Sequence, residues 1–409
     1  MSKSRLRGWI QNYRRYANKY FLDFRSLGMA GDCQIVAKKS ELDPCRQMYL
    51  DADVKKVLDS RSSAGFEYHI IRINKILKPT VLPPFEIGAK NRGTKTETRA
   101  KNRTFDLRTR QNHAIFTLMS ELQFAIIKHF RNSGYLQINT PKILGSGSQG
   151  GTEVFRLKYY DKLAFLAQSP QLHKQMVVSA GYEKIFELGY MYRAEKSSTN
   201  KHLSEIFALD IEGAYDSTMD IIMQSQKMLI EISKYMATSQ LVNAAEKILG
   251  KKIIPLSPAD FQIVTYSKCM SILGYDRPVD FSIEDERKLG KELGKISKYY
   301  FVVDYPPILK PFYIGKKDGK SLGFDLYDTS RELSSGGMRQ TNILKLKKNM
   351  VDVGINPKNF LHYMQAFKYA PPPHGGCCFG LPRLLMSFYG FKNIREVVMY
   401  PRDMKKLGP

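Results

Sequence analysis

The hydrophobic period of the chain changes near residue 112, and that change limits what it can fold into. From there Ile115, Leu118, Met119, Leu122, Ile126 and Phe130 recur at three- and four-residue spacing until Gly134 stops the run. That spacing predicts a long amphipathic helix leading into a strand at Thr140-Pro141. Before it the pattern is short and alternating. Phe21-Leu22-Asp23-Phe24 is one such stretch, Gln34-Ile35-Val36-Ala37 another, and residues 67–73 a third, with a turn signal at 28–32 and a break at Pro83-Pro84. Alternation with period two predicts strands, and a small antiparallel barrel of the OB type fits this length. Residues 88–110 are polar and basic, with Lys90, Arg92, Lys95, Arg99, Lys101 and Arg103, and they read as a hinge.

At 409 residues the chain exceeds one ordinary core, so several domains are expected. The division expected is 1–87, 88–110 and 111–409. Beyond the long helix, strand-like runs at 162–167, 184–188, 206–212 and 299–304 alternate with helical segments at 219–249 and 284–297. The class is α+β.

Charge narrows the partner. The formal net charge is +25, and residues 1–110 carry 24 Lys and Arg against 11 Asp and Glu. Such a field favours a polyanion. Tyr13, Tyr16, Tyr20, Phe21 and Phe24 are interleaved with the basic residues, which favours single-stranded RNA over duplex DNA. No apolar run approaches the roughly 18 residues that span a bilayer, and no apolar stretch follows the N-terminus, so neither a membrane span nor a signal peptide is expected. Five cysteines without a CxxC pair point to a reducing compartment, the cytoplasm, and to no structural zinc.

Three segments carry the chemistry. The first is Thr140-Pro141-Lys142. The second is Tyr192-Arg193-Ala194-Glu195, followed by His202, Glu205 and Leu209-Asp210-Ile211-Glu212. The third is Phe379-Gly380-Leu381-Pro382-Arg383. In this order they resemble motifs 1, 2 and 3 of the class II aminoacyl-tRNA synthetases. The residues around them resemble the aspartyl-tRNA synthetases in particular, through to the ending Tyr400-Pro401-Arg402-Asp403. No large insertion interrupts the C-terminal half, as in the eukaryotic and archaeal type. The resemblance implies an OB-fold anticodon-binding domain followed by a catalytic domain with an antiparallel sheet flanked by helices. It also implies formation of aspartyl-adenylate from L-aspartate and ATP with Mg2+, then transfer to the 3'-end of tRNA(Asp).

Roles follow by resemblance, residue by residue. Arg193 clamps the α-phosphate and the aspartate carboxylate, and Arg383 packs on adenine and reaches the γ-phosphate. Glu195, His202 and Glu205 complete the ATP-binding set. Asp325 and Glu332 match the magnesium acids, with Glu332 also counted as catalytic. Gln168-Ser169-Pro170-Gln171 introduces Lys174, which with Arg339 gives a buried carboxylate two cationic partners. Asp210 receives the α-ammonium group beside Gln171, Ser335 keeps its offset, and Ser148 and Gln149 lie in a mobile loop that closes over the amino acid. Phe21 stacks on an anticodon base and Gln34 reads a base edge. Pro141 implies a two-fold homodimer.

Three positions depart from the pattern. Gln149 stands where glutamate is typical, Ile206 where an aromatic stacks on adenine, and Pro382 where an acid precedes the motif 3 arginine. Proline is acceptable in a helix's first turn. Phe207 is expected to face away. Two rivals stand beside this reading: an asparaginyl-tRNA synthetase, toward which Gly336-Gly337-Met338-Arg339 leans, and, from these departures, a weakened paralogue that binds RNA without charging it. A free-standing asparagine synthetase of this fold would have no need of the basic barrel.

Overall fold

The computed structural model describes residues 3–27, 32–59, 62, 64–81, 83–85, 87, 94–145, 154–194 and 199–408. They fall into two compact units, Met1–Ala114 and Ile115–Pro409.

In the first unit β1 (Lys3–Tyr16), β2 (Lys19–Ser26), β3 (Asp32–Lys38), β4 (Tyr49–Leu58) and β5 (Phe66–Leu77) close into a barrel of order β1-β2-β3-β5-β4. All neighbours are antiparallel except β3 and β5. Period two puts Leu22, Phe24, Ile35, Leu50 and Val54 in the core. This is the OB-like barrel that the alternation predicts.

The stretch read as a hinge is different. Residues 94–110 include two short helices, α1 (Thr96–Lys101) and α2 (Arg103–Asp106). Asp106 is fully buried and accepts bonds from Arg99 Nε at 2.7 Å and Arg103 Nη1 at 2.6 Å. Two cations that sequence reasoning leaves in solvent are therefore spent on one interior carboxylate.

The second unit is organised around α3 (Arg110–Asn132), the helix announced by the change of period. It buries Ile115, Leu118, Leu122, Ile126 and Phe130. There follow β6 (Leu136–Gln137), β7 (Ile143–Leu144), β8 (Arg156–Tyr159), β9 (Lys162–Leu166), α4 (Gln171–Ser179), β10 (Lys184–Tyr192) and β11 (Glu205–Gly213). Next come α5 (Thr218–Thr238), α6 (Gln240–Leu249), β12 (Phe261–Thr265), α7 (Tyr266–Leu273), α8 (Ile283–Leu293) and β13 (Tyr299–Val303). The chain ends with β14 (Lys316–Lys317), β15 (Lys320–Ser321), β16 (Gly323–Asp328), β17 (Glu332–Met338), α9 (Ile343–Asp352), α10 (Leu361–Ala366), β18 (Gly375–Gly380) and α11 (Leu381–Tyr389).

Eight of these strands form one sheet of order β12-β13-β16-β17-β18-β11-β10-β6, antiparallel except at its two outer pairs. Tyr299, Tyr300, Phe301, Phe324 and Phe379 fill its interior, with α5 against β17 and β18 and α11 against β11 and β18. Thr140-Pro141 is not a strand. It bridges β6 and β7, tied to Glu187 by Thr140 Oγ1 at 2.7 Å and by Lys142 Nζ at 2.7 Å. Among the described residues no helix is long and apolar enough to cross a membrane.

Candidate functional site

Strand register assembles the site. Asp210 on β11 lies opposite Cys378 on β18, Cys378 opposite Ser335 on β17, and Ser335 opposite Asp325 on β16. Directly paired residues share a face, so these four form one row across four strands. Three strand spacings separate its two acids by about 14 Å. In the adjacent row Glu212 lies opposite Gly376, and Gly376 opposite Gly337. A Cβ on Gly376 would stand 1.9 Å from the Ile211 carbonyl oxygen and 2.5 Å from Glu212 Oε2, so only glycine leaves that carboxylate its place.

One end of the row is a closed charge network. Arg339 donates from Nε to Glu212 Oε1 at 2.8 Å and from Nη2 to Oε2 at 2.9 Å. Lys174, on the first turns of α4, lies 3.0 Å from Asp210 Oδ1 and 3.2 Å from Glu212 Oε2. All four side chains are buried. Burial alone would push the Glu212 carboxyl up, but Arg339 and Lys174 outweigh it and hold it at about 2. Desolvation likewise opposes the charge on Lys174, yet Asp210 and Glu212 raise it above the ordinary lysine value. Two cations and two anions balance here.

Polar groups without partners surround this network. Gln171 Nε2, Gln175 Nε2 and His374 Nε2 are buried and make no hydrogen bond among the described residues. Tyr363 donates to Gln175 Oε1 at 2.9 Å, which leaves the amide nitrogen free. His374 Nδ1 lies 2.8 Å from the Pro372 carbonyl oxygen and must donate to it. Burial lowers the His374 pKa, so the ring is neutral and its Nε2 is a bare acceptor. Buried donors and acceptors left unspent in this way fit a polar, charged guest.

The arginines converge on the row. Arg193 is half-buried, its N–H donates to the Ser204 carbonyl oxygen at 2.9 Å, and its guanidinium has no partner among the described residues. Its charge acts on Tyr313 and Cys378, as do those of Lys174 and, at Tyr313, Arg339. Arg383 reaches the other end of the row, donating from Nη1 to the Glu332 carbonyl oxygen at 3.2 Å and from Nη2 to the Lys201 carbonyl oxygen at 3.5 Å. Burial and then Asp325 raise the Glu332 pKa, opposed by Arg383 and Lys310, so three charged groups act on this one carboxyl. Pro382 sits in the first turn of α11, as a proline there can.

Comparison with known proteins gives the arrangement a family. A family model described as tRNA synthetases class II (D, K and N) matches residues 95–404. The aspartate–tRNA(Asp) ligase of Pyrococcus furiosus is 35% identical over 427 residues, covering 98% of this chain and 95% of its own. The chain belongs to the class II tRNA synthetases. The aspartate–tRNA(Asp/Asn) ligase of Methanococcus maripaludis is 32% identical to this synthetase over 424 residues, covering 99% and 94%. The asparaginyl-tRNA synthetase from Pyrococcus horikoshii complexed with asparaginyl-adenylate superposes with a TM-score of 0.87 at 25% identity, covering 100% and 96%.

Within this class II synthetase the remaining expected residues divide. Ser335 is exposed on the row between Cys378 and Asp325. His202 Nδ1 pairs with Thr199 Oγ1 at 2.6 Å. Ser148, Gln149 and Glu195 lie outside the described residues. Glu205 is a correction: it is five residues before Asp210, and alternation turns it to the opposite face of β11. There it lines a separate cavity of about 470 Å³ with Phe207, Tyr190, Pro382 and Arg402. Phe207 faces away from the row, as expected, and Ile206 shares the face of Asp210.

Gln175, Tyr363, His374 and Lys310 had no role in the expected site, and Glu212 appeared only inside its motif, without a role. Only Glu212 carried a local signal, its i+2 spacing from Asp210 on a strand.

In the barrel of the synthetase, Phe21 and Gln34 line one groove of about 860 Å³ with Arg14, Lys19 and Glu67. Leu22 and Phe24 take the core face, so Phe21 is not a core residue. Arg14 Nη2 donates to Gln34 Oε1 at 3.4 Å, and Gln34 Nε2 to Glu67 Oε2 at 3.2 Å. Glu67, which no motif indicated, is also bound to His69 Nε2 at 2.6 Å.

Proposed function

We propose that this synthetase is an aspartate–tRNA ligase. The observation that carries the reading is the enclosed pair of cations, Lys174 and Arg339, each ion-paired with a buried acid. An entering aspartate brings one ammonium and two carboxylates. Its ammonium takes Asp210, which frees Lys174 for the side-chain carboxylate beside Arg339. With asparagine, Lys174 and Arg339 would be left to share the single carboxylate of Glu212, two buried cations on one anion, costing several kcal/mol. The 35% identity to an aspartate enzyme supports the same choice.

Chemistry then proceeds by positioning and charge neutralisation. The α-carboxylate oxygen attacks the α-phosphorus of ATP, the bond to the β-phosphate bridging oxygen breaks, and pyrophosphate leaves. Arg193, whose guanidinium has no partner among the described residues, spans the two reacting anions. Arg383 is held by two carbonyl oxygens in position to meet the nucleotide. Asp325 and Glu332 fit magnesium: both are carboxylates, Asp325 acts electrostatically on Glu332, and Asp325 Oδ1 is buried without a hydrogen bond among the described residues. Magnesium bound there supplies charge neutralisation on the phosphates. In the second step a hydroxyl of the terminal tRNA ribose attacks the aspartyl carbonyl carbon, and AMP leaves.

The barrel groove reads the anticodon, with Phe21 as stacking face and Gln34 and Glu67 at base edges. A homodimer is part of the proposal, supported by half-exposed apolar side chains beside Pro141, namely Leu136, Ile143 and Leu163. So is a cytoplasmic location.

Pyrophosphate exchange with purified protein tests the reading. Aspartate is expected to drive exchange at least about 100-fold better than asparagine. Arg193→Ala and Arg339→Leu are each expected to lose about 100-fold or more. Equal exchange with asparagine would favour the asparaginyl reading, and tRNA binding without exchange would favour the weakened paralogue.

A further inference from the structure

The acid pair proposed for magnesium is already compensated by a lysine that no motif indicated. Lys310 Nζ lies 2.5 Å from Asp325 Oδ2, with 7% and 10% of the two side chains exposed. The same ammonium stands 3.8 Å from the centre of the Tyr305 ring, and Tyr305 is itself buried. The backbone at this point is preset. Lys310 caps the 3-10 helix Pro307–Leu309, which Pro306 precedes, and Pro311 follows it.

The neighbouring charges are engaged elsewhere. Lys201 Nζ binds Glu286 Oε2 at 2.5 Å and the Ser330 carbonyl oxygen at 2.6 Å. Arg383 donates to two backbone oxygens. Among the described residues Asp325 has Lys310 as its ion-pair partner and no other.

A free divalent cation meeting this pair must break a short charge-assisted bond and strand a buried ammonium against an aromatic ring. A nucleotide changes that balance, because its phosphates offer new acceptors to the lysine and extra oxygen ligands to the metal. We propose that Lys310 is a positioning residue that reserves Asp325 until nucleotide arrives, so that the divalent cation enters with ATP and not before it. The inference rests on the assignment of Asp325 and Glu332 to the metal.

Manganese is the probe, followed as free Mn2+ by electron paramagnetic resonance in titrations of the full chain. The titrations are run with and without an ATP analogue carrying a methylene bridge between the α and β phosphorus atoms. Wild type is expected to bind Mn2+ at least about tenfold more weakly without the analogue than with it. Lys310→Met keeps the packing on Tyr305 but removes the charge. Without nucleotide it is expected to bind Mn2+ at least about tenfold more tightly than wild type, while Lys310→Arg keeps the wild-type behaviour. Nucleotide-free binding by Lys310→Met equal to or weaker than that of wild type overturns the proposal. Should that variant not fold, Lys310→Gln is held to the same criterion. Asp325→Asn separates the two levels. If it leaves analogue-linked Mn2+ binding intact, the metal assignment fails. If it abolishes that binding while Lys310→Met behaves as wild type, only the role of the lysine fails.

Discussion

Glu212 is fully enclosed and yet charged, and among the described residues it alone pairs with both cations of the amino-acid end of the row. Glu212→Gln keeps the shape but leaves Arg339 and Lys174 to share Asp210. Breaking a buried pair from one side costs about 3–5 kcal/mol, which in a unit of this size lowers the melting temperature by about 5 °C or more. The pH dependence has a definite sign. The Glu212 carboxyl is depressed from 4.5 to about 2, so its contribution is fully present above its unfolded value and is lost as pH falls through the folded one. The gap in melting temperature between wild type and Glu212→Gln is therefore expected to be constant above about pH 5 and to be more than half closed by about pH 3. A gap that does not change between those values would mean that Glu212 is not the anion holding the pair.

At the level of elements the site depends on β18 lying flat between β11 and β17, and that depends on glycine. Gly376→Ala puts a methyl 1.9 Å from the Ile211 carbonyl oxygen, backbone that cannot yield without opening the ladder. Gly380, four residues on at the cap of α11, has its nearest obstruction 4.0 Å away on the flexible Arg383 side chain. Gly376→Ala is expected to cost about 3 kcal/mol or more and Gly380→Ala less than about 1 kcal/mol, compared by melting temperature. Elements like these were legible in the sequence wherever burial imposes a period, as along α3 and on β2, where Leu22 and Phe24 alternate with Phe21. The row Asp210–Cys378–Ser335–Asp325 was not legible, because pairing register between distant strands is a tertiary property. Lys310 was invisible for a related reason: a single lysine between prolines has no pattern, and its partner is on another element. The basic run at 94–110 gives no sign of burial in the sequence because a charged residue does not announce its partner: Arg99 and Arg103 fold onto Asp106. Glu205 belongs to its motif by spacing, but the two-residue period of its strand turns it to the other face.

For the molecule as a whole the two kinds of charge should answer salt differently. The chain carries an excess of +25, and 24 of its Lys and Arg fall within residues 1–110, where Arg14, Arg15 and Lys19 line the barrel groove. Charges of that kind bind a polyanion by releasing counterions, so affinity falls as a power of the salt concentration. If the tRNA contacts about five phosphates, raising NaCl from about 50 to about 200 mM is expected to weaken binding by about 100-fold. The pairs Lys174–Asp210 and Arg339–Glu212 are buried, out of reach of mobile ions. Pyrophosphate exchange driven by aspartate without tRNA is therefore expected to change its KM for aspartate by less than about threefold over the same range. Filter binding of tRNA and exchange assays in parallel salt series read the two slopes. Parallel slopes would show that solvent-facing charge governs the amino acid as well, and the enclosed network would lose its claim to select it.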